Sequence, residues 1–403
     1  MSKISKITAH QIADSRNIPT LEVEVVLEDG TTALASVPSG KSTGKHEAKA
    51  IDVPLAINNV NSAISDALHG MDATKQAVID QAMIDLDGTT DKAHLGANAL
   101  LGVSLAVARA GAMTQKIPLY QHIRNMINPN LIDNTLPTPM FNIINGGSHA
   151  HNNIDFQEFM VIPKEFPTFA EKLAVGESIF NELNRVLERH DLATVIGDEG
   201  GYAPDLDTNE MAFGLMEEAI KQAGFKPGEQ VFLGLDVAAS SLPPTYELDT
   251  KNYLSIIDNY SVISIEDPLP EDDWHWWAQL KLEIEKHNRT GRKILLIGDD
   301  IFVTNIKRLE QGINKYVANS ILIKPNQVGT LSETLDVIKL ARSNEYTLVI
   351  SHRSGETLDN FIADLAFASD ASFIKAGAPN TSHPERMAKY QRLVEIEQEL
   401  LRR

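Results

Sequence analysis

A series of short apolar segments, each of which stops at charged or polar residues, most constrains how this chain can fold. The segments cover residues 231–235, 262–265, 294–297, 321–323, 348–350 and 373–374. The polar residues that follow them are spaced 23 to 33 residues apart, and they are Asp236, Glu266, Asp299, Lys324, His352 and Lys375. A β/α barrel of eight units and about 250 residues needs about 31 residues for each unit. The spacing therefore predicts successive βα units whose parallel strands close into a barrel.

Helical patterns fill the gaps between these segments, as a barrel requires. Residues 331–343 and 356–367 are two examples. The strands of a parallel barrel are covered on both faces, which agrees with their continuous apolar runs. We therefore expect the C-terminal strand ends to meet at one mouth of the barrel.

The first part of the chain has a strand pattern of another kind. Apolar side chains alternate with glutamates over residues 21–25, and Asp29-Gly30 supplies a hairpin turn. Residues 4–37 are therefore predicted to form antiparallel strands.

A helical region follows these strands. Residues 54–121 have a helical pattern that is partly rich in small side chains. The polar, proline-containing stretch 128–139 is the best boundary. The fold class is thus predicted to be α/β, with an N-terminal α+β cap domain over residues 1–132 and a C-terminal β/α barrel catalytic domain over residues 133–403.

The predicted mouth collects acids, lysines and a histidine. Polar residues after one strand are usually solvated ends or helix caps, but six in succession with complementary charges are difficult to explain that way. Asp236, Glu266 and Asp299 are predicted to hold Mg²⁺ together, because carboxylate oxygens without thiolates favour Mg²⁺ or Mn²⁺ over zinc. The alternative is that these acids only pair with Lys324 and Lys375.

A lysine beside a bound cation has a chemical use. Its ammonium form is disfavoured there, which suits a general base. A lysine base and a divalent metal that stabilises an enediolate together remove a proton beside a carboxylate.

Composition narrows the classes of function. The 403 residues carry a formal net charge of −19, which opposes non-specific binding to nucleic acid and to anionic membranes. The chain has no cysteine, so disulfides, thiolate nucleophiles and cysteine-based zinc sites are excluded. The N-terminus lacks the apolar core of a signal peptide, and the most apolar helical stretch, residues 100–113, is too short to span a bilayer. We therefore expect a cytoplasmic protein.

Two further segments offer candidate catalytic groups. Asp198-Glu199 lies in a loop between glycines, although a simple tight turn explains this pattern equally well. Glycines also precede His149, and Gln157-Glu158 follows on an alternating strand.

His149 and His151 have an alternative interpretation. They could form a zinc pair in a metal-dependent hydrolase barrel. That interpretation needs more histidines at later strand ends, and only His352 is available.

A loop over residues 38–45 contains Gly40-Lys41-Ser42, the end of a Walker A motif. That motif needs a glycine where this chain has Ala35, and Pro38 interrupts the loop. A mobile loop that closes over a site is the better interpretation.

The sequence resembles the enolase family from about residue 7 to residue 399. The blocks that carry this resemblance occur in the family's order, and they are Asp14-Ser15-Arg16, Pro38-Ser39-Gly40, Ser42-Thr43-Gly44, residues 95–99, 142–150, 197–204 and 264–268, Gly298-Asp299-Asp300, residues 324–327 and residues 351–357. The resemblance implies a cap domain on an enolase-type, TIM-like barrel whose first strands depart from strict βα alternation. It also implies the glycolytic, reversible dehydration of 2-phospho-D-glycerate to phosphoenolpyruvate and water.

The resemblance further implies two Mg²⁺ ions in each active site. Asp236, Glu266 and Asp299 match the ligands of the first ion. Ser42 matches the protein ligand of the second ion, which arrives with substrate.

Catalytic and substrate-binding residues are implied in the same way. Lys324 matches the base that removes the C2 proton, and Glu199 matches the acid that assists hydroxide departure, with Glu158 beside it. Arg353 and Ser354 match the residues that hold the phosphate, and Lys375 matches the one that holds the substrate carboxylate. Three more residues match substrate-binding positions of the closed site, namely His149, Gln157 and His352. The implied partners are a small phosphorylated hydroxy acid and further copies of the chain, in at least a homodimer.

Several positions depart from the family's pattern. Asn17 stands where the family has glycine, and Ser241 stands where a glutamate is usual. The segment after Ala48 is shorter than in the family. Residues 377–386 carry two more residues than the family's pattern and lack one arginine that the family has in addition to the one matched by Arg386. Two alternatives therefore stay open: a related acid dehydratase with another substrate, and a non-catalytic binding or scaffold protein.

Overall fold

A computed structural model of the protein describes residues 2–41, 44–130, 134–243, 250–287 and 291–402. Ser42, the expected ligand of the second Mg²⁺ ion, lies outside the described residues. The proposed boundary at residues 132 and 133 also falls outside them, so the division into two domains at that point remains a prediction.

The N-terminal strands form the antiparallel sheet that the alternating pattern predicts. It contains β1 (Ile4–Ala13), β2 (Pro19–Leu27) and β3 (Thr32–Ser36) in the order β1-β2-β3. One face of β2 buries Leu21, Val23 and Val25, and this face packs against helices. The turn between β2 and β3 contains Gly30 at φ +86°, a left-handed conformation that glycine adopts readily.

Helices follow this sheet, as predicted. In chain order they are α1 (Val53–Asn59), a π-helical turn (Val60–Ile64), α2 (Ser65–Leu68), α3 (Gln76–Asp87), α4 (Ala97–Gln115) and α5 (Leu119–Ile127). α4 packs closely against β2 and β3. Gly102 permits this approach, because a Cβ atom at this position would lie 2.5 Å from Cγ2 of Val23.

In the described part of the chain, α4 is the one helix long and apolar enough to cross a membrane. The sequence-based expectation that this stretch is too short is wrong, because the helix extends beyond residues 100–113 at both ends. However, 78% of its apolar window is buried inside the protein. Packing in the core accounts for its composition.

The second part of the chain forms the predicted closed barrel. Its eight strands are β4 (Thr138–Asn145), β5 (Glu158–Pro163), β6 (Val231–Asp236), β7 (Val262–Glu266), β8 (Leu295–Gly298), β9 (Ser320–Ile323), β10 (Thr347–Ser351) and β11 (Phe373–Lys375). β5 runs antiparallel to both β4 and β6, and the other neighbours are parallel. This confirms an enolase-type barrel with irregular first strands.

Apolar side chains fill the interior of the barrel. The cluster consists of Met140, Met160, Ile162, Phe232, Ile263, Leu295, Ile297, Leu322, Val349 and Phe373. The barrel interior is thus packed with apolar side chains rather than hollow. The polar groups concentrate instead at the C-terminal strand ends.

Helices surround the barrel. They are α6 (Phe169–Arg189), α7 (Asn209–Gln222), α8 (Thr250–Asn259), α9 (Trp274–His287), α10 (Ile306–Lys315), α11 (Leu331–Ser343), α12 (Phe361–Ala368) and α13 (Pro384–Leu401). α11 coincides with the prediction for residues 331–343. Its start is defined by Thr330, whose side chain caps the backbone N–H of Glu333.

The prediction of a helix over residues 356–367 is wrong at its start, because α12 begins only at Phe361. The side chain of Glu356 accepts hydrogen bonds from the backbone N–H groups of Arg353 and Thr357. The side chain of Asp359 accepts the N–H of Phe361. These contacts hold an irregular loop instead of a helical turn.

Partly buried polar contacts join the N-terminal helices to the barrel. Arg109 on α4 forms two hydrogen bonds with Asp359, from Nη1 to Oδ2 at 2.6 Å and from Nη2 to Oδ1 at 2.8 Å. Lys92 pairs with Glu333 on α11 at 2.6 Å. These contacts fix α4 and the segment before it against the loop after β10 and against α11.

Candidate active site

The C-terminal strand ends open into one cavity. Its lining consists almost entirely of polar side chains, namely Glu47, His149, Gln157, Glu158, Glu199, Asp236, Ser241, Asp267, Asp299, Asp300, Lys324, Ser351, His352, Arg353, Ser354 and Lys375, together with Ala238. Of the predicted site residues that the structure describes, Glu266 alone is missing from this lining. It is buried and contacts Lys375, which does line the cavity.

Lys375 lies at the centre of the acidic side of the cavity. Its Nζ is 2.8 Å from Oε2 of Glu266, 3.0 Å from Oε2 of Glu158 and 3.4 Å from Oδ2 of Asp236. Burial alone would lower the pKa of Lys375, but these carboxylates outweigh it and raise the pKa well above its ordinary value. Lys375 is therefore a fixed cation that holds three strand ends together.

Lys324 forms an ion pair with Asp299, whose Oδ1 also accepts a hydrogen bond of 2.9 Å from Gln327. Burial lowers the pKa of Lys324, but Asp299 reverses this and leaves the pKa raised. The raised pKa is opposite to the lowered pKa that is expected for a lysine beside a cation, because the nearest partner of Lys324 here is a carboxylate.

Crowded carboxylates favour a cation in this cavity. Burial and then Asp236 raise the pKa of Glu266 well above its usual range. Burial and then Asp299 raise the pKa of Asp300 to about 7. Oxygen donors of this kind fit a hard divalent cation, which would favour their ionised forms.

Two groups of side chains have possible ligand atoms within 4.8 Å of one another. One group contains Asp267, Asp299 and Asp300, and the other contains His149, Glu158 and Glu199. Neither group equals the predicted triad of Asp236, Glu266 and Asp299, although Asp299 belongs to the first. Asp267 and Asp300 were not among the predicted site residues, even though each directly follows a predicted ligand.

Asp267 also has a structural task. Its carboxylate accepts the backbone N–H groups of Asp299 at 3.0 Å and of Asp300 at 2.7 Å. Its burial, followed by the charge of Asp300, raises its pKa well above the usual range. It therefore ties the loop after β8 to the end of β7.

Glu199 lies on the other side of the cavity, in its glycine-flanked loop. Its Oε2 accepts a hydrogen bond of 3.0 Å from Asn142 and lies 3.2 Å from Nε2 of His352. Its Oε1 lies 3.5 Å from Nδ1 of His149, and that nitrogen is also 3.5 Å from Oε1 of Glu158. The glycine-flanked pattern thus marks a turn that also carries a buried carboxylate.

The two glutamates have different electrostatic surroundings. Burial and then Glu199 raise the pKa of Glu158 well above its ordinary value, although Lys375 opposes this. Burial also opposes ionisation of Glu199, but His352 and His149 bring its pKa below the ordinary value. Of these two neighbouring buried carboxyls, Glu158 favours the protonated form and Glu199 the ionised form.

Arg353 reaches the cavity from the loop after β10. Its guanidinium pairs with Glu47, from Nη1 to Oε2 at 2.9 Å and from Nη2 to Oε1 at 3.2 Å. Glu47 was not predicted as a site residue. The backbone N–H of Lys41 donates to Oγ of Ser354 at 2.7 Å, and Nζ of Lys41 pairs with Asp198 at 2.8 Å. The described part of the predicted loop therefore lies against the site.

The zinc-pair alternative loses support. His149 is buried and faces the cavity, whereas His151 is exposed. Two ligands on one metal would have to point to a common site.

Two departures from the family's pattern have clear positions. Asn17 has φ +60°, and asparagine tolerates this left-handed conformation better than most residues, so it can replace glycine there. Ser241 lines the cavity.

The closed barrel, the helical and sheet structure packed on it, and the carboxylate- and lysine-lined mouth define a β/α-barrel protein with a buried acid–base site whose carboxylates could hold a metal ion. Two family models agree with this. The model described as "Enolase, N-terminal domain" matches residues 4–123, and the model described as "Enolase, C-terminal TIM barrel domain" matches residues 133–403. The chain belongs to the enolase family.

Proposed function

We propose that the protein is a Mg²⁺-dependent lyase that reversibly dehydrates 2-phospho-D-glycerate to phosphoenolpyruvate. The observation that carries the proposal is the joint presence of Lys324, Glu199 and Arg353 in one buried cavity with a set of carboxylates. This cavity offers a base, an acid, an anion-binding group and cation ligands to one substrate.

Lys324 removes the proton at C2 of the substrate. In the described structure its amine is charged and paired with Asp299. When Asp299 is engaged in binding a cation instead, the partner that raises the pKa of Lys324 is weakened, and a neutral amine becomes accessible.

Asp236, Glu266 and Asp299 are the proposed ligands of the first Mg²⁺ ion, and Ser42 is proposed for the second ion, which arrives with substrate. The ions supply positive charge to the substrate carboxylate and to the enediolate that forms from it. An oxygen-only set of donors fits this choice of metal.

Glu199 donates the proton to the hydroxide that leaves C3. Its Oε2 accepts a hydrogen bond from Asn142 and lies 3.2 Å from Nε2 of His352, so Oε1 is the oxygen left to carry this proton. Glu158, the carboxyl that favours the protonated form, supplies the proton to this side of the site.

The remaining residues bind and orient substrate. Arg353 and Ser354 hold the phosphate, since a guanidinium and a hydroxyl are suited to phosphate oxygens. Arg353 would exchange its contact with Glu47 for that phosphate. Lys375 attracts the substrate carboxylate.

His149 and Gln157 complete the site on the side of β5. The Nε2 of Gln157 lies 3.3 Å from Oδ2 of Asp236, and its Oε1 accepts a hydrogen bond of 2.6 Å from Ser148. Gln157 thus orients a proposed metal ligand as well as facing the cavity.

The cellular role follows from the proposed reaction. We expect a glycolytic and gluconeogenic enzyme of the cytoplasm that acts as at least a homodimer. With a net charge of −19, the protein is not expected to bind nucleic acid or membranes.

Purified protein mixed with 2-phospho-D-glycerate and Mg²⁺ should form phosphoenolpyruvate, which is followed by its ultraviolet absorbance. Excess chelator should stop the reaction. D-glycerate, which lacks the phosphate, should give no dehydrated product. Product from D-glycerate alone would favour a related acid dehydratase, and no product from either acid would favour a non-catalytic binding protein.

A further inference from the structure

Arg386 on α13 is a long, charged side chain without solvent exposure. Its Nη1 lies 2.7 Å from Nδ1 of His352 and donates to the carbonyl oxygen of Arg353 at 2.7 Å. Its Nη2 donates to the carbonyl oxygens of Ser354 at 2.6 Å and Asp198 at 3.1 Å. One guanidinium therefore contacts two separate loops of the active site, and it does so from outside the cavity lining.

The contact with His352 determines which ring nitrogen carries hydrogen. A guanidinium has only donors and stays charged, so Nδ1 of His352 must be the acceptor. The neutral ring then carries its hydrogen on Nε2. Nε2 is the nitrogen that lies 3.2 Å from Oε2 of Glu199.

We propose that Arg386 is a positioning residue that fixes His352 as the neutral Nε2–H tautomer and thereby selects Oε1 of Glu199 as the oxygen that delivers a proton to the departing hydroxide. This role rests on the proposed function. Arg386 touches neither substrate nor reacting atoms.

The surroundings of Glu199 support this assignment. Asn142 donates to the same oxygen, Oε2, at 3.0 Å. Nε2 of His352 lies 3.2 Å from the same oxygen, so a hydrogen on that nitrogen is placed beside Oε2, although the two atoms do not form a hydrogen bond in this structure. A ring with hydrogen on Nδ1 would instead place a lone pair against the carboxylate and release Oε2 as a competing site for the proton.

The electrostatics of His352 agree with this geometry. Burial, followed by the charge of Arg386, lowers the pKa of His352 to about 4, although Glu199 and Glu356 oppose this. The ring is thus neutral near pH 7, as the hydrogen bond from Arg386 requires.

The backbone is shaped to hold Arg386 in place. Gly377 has φ +86°, and a Cβ atom there would lie 2.9 Å from Cδ of Arg386 and 2.7 Å from the carbonyl oxygen of Glu199. The N–H of Ala378 donates to that same oxygen at 3.0 Å. Gly377 and Ala378, which follow β11, therefore lie between the side chain of Arg386 and the backbone of Glu199. They do so even though residues 377–386 depart from the family's pattern.

Three variants test the inference. Arg386→Met removes every donor at similar side-chain length, and Arg386→Lys keeps a charge and a donor. Arg392→Met is the matched control, because Arg392 lies on the same helix but pairs with Asp364 at 2.8 Å, away from the cavity lining.

The first measurement is the ¹⁵N spectrum of the imidazoles in histidine-labelled protein, with His352→Gln to assign the His352 signals. In the wild type we expect hydrogen on Nε2 and none on Nδ1. Arg386→Met should lose this single tautomer, and Arg392→Met should keep it. Hydrogen on Nδ1 in the wild type would overturn the inference, and this result does not require that any Arg386 variant folds.

The second measurement compares two rates with 2-phospho-D-glycerate. Arg386→Met should lower kcat for formation of phosphoenolpyruvate by about 10- to 100-fold, while Lys324 still exchanges the C2 proton with solvent. Arg386→Lys should recover part of the loss. Equal losses of exchange and elimination would overturn the inference. If the wild type forms no phosphoenolpyruvate, the proposed function fails, and the ¹⁵N spectrum alone still decides whether Arg386 sets the tautomer.

Discussion

The ammonium nitrogen of Lys375 lies 2.8 Å from Oε2 of Glu266, and these residues end strands that stand four positions apart in the eight-stranded barrel. The ion pair therefore spans the mouth of the barrel. Lys375 also reaches Glu158 and Asp236, so one cation compensates three buried carboxylates. Removal of either the lysine or the acids should consequently affect stability as well as activity.

Lys375→Met should destabilise the protein by about 3–5 kcal/mol in chelator, because it leaves buried carboxylates without their cation. Thermal melts of the two proteins measure this effect. Lys226→Met, which removes an exposed pair with Glu229, is the control and should change the melt little. A melt of Lys375→Met that matches the wild type would show that the carboxylates do not depend on Lys375.

Mg²⁺ should raise the thermal midpoint of the wild-type protein. A ligand that binds only the folded state stabilises it by about 2.7 kcal/mol at 100 times its Kd. Asp299→Asn should lose most of this gain. Asp258→Asn, which removes a partly exposed partner of His287, is the control and should keep the full rise in thermal midpoint with Mg²⁺. An undiminished gain in Asp299→Asn would remove Asp299 from the proposed ligands.

Arg109→Leu should weaken the attachment of the N-terminal helices to the barrel. It leaves the partly buried carboxylate of Asp359 without its cationic partner, which costs about 3 kcal/mol. The chemical denaturation curve should shift to lower denaturant. Arg185→Leu, which removes an exposed pair with Glu182, should stay within about 0.5 kcal/mol of the wild type. Equal curves for the two variants would contradict a stabilising role for Arg109.

His352 should make the protein sensitive to acid. Its pKa is about 4 in the folded protein and 6.5 ordinarily, so the unfolded chain binds more protons between these values. The contribution of His352 to the free energy of unfolding is fully present above pH 6.5. It is lost as the pH drops towards 4, by up to about 3 kcal/mol. Burial is the largest cause of the lowered pKa and the charge of Arg386 adds to it, whereas Glu199 and Glu356 oppose it.

Urea midpoints measured in chelator from pH 7 to pH 5 test the acid sensitivity. The wild type should lose stability more steeply than His352→Gln, because glutamine does not titrate. Parallel pH dependences would show that His352 is not held neutral in the folded protein.

The barrel was predictable because its strands are continuous apolar runs that end in charges. The spacing of those ends identified Asp236, Glu266 and Asp299 at three successive strands, and the structure places them there. A departure of the first strands from βα alternation was expected only from the family resemblance, and the antiparallel direction of β5 was not predicted, since strand direction has no signal in the composition of one segment.

The partners of the site residues were harder to predict. Glu47 and Arg386 reach the site from segments with no strand-end pattern, and only tertiary packing shows that they contact Arg353 and His352. Asp267 and Asp300 had a usable signal, because each stands beside a predicted ligand. The start of α12 was predicted too early, at residue 356. There the carboxylate of Glu356 accepts backbone N–H groups, and these hydrogen bonds override the helical pattern.

Exchange of the C2 proton in Glu199→Gln is the most direct test of the proposed division between base and acid. The variant is mixed with 2-phospho-D-glycerate and Mg²⁺ in D₂O, and loss of the C2 proton signal is followed by NMR beside formation of phosphoenolpyruvate. We expect exchange to continue while elimination collapses, and Lys324→Ala to abolish both. If Glu199→Gln loses exchange as completely as Lys324→Ala does, the assignment of Lys324 as base and Glu199 as acid is wrong.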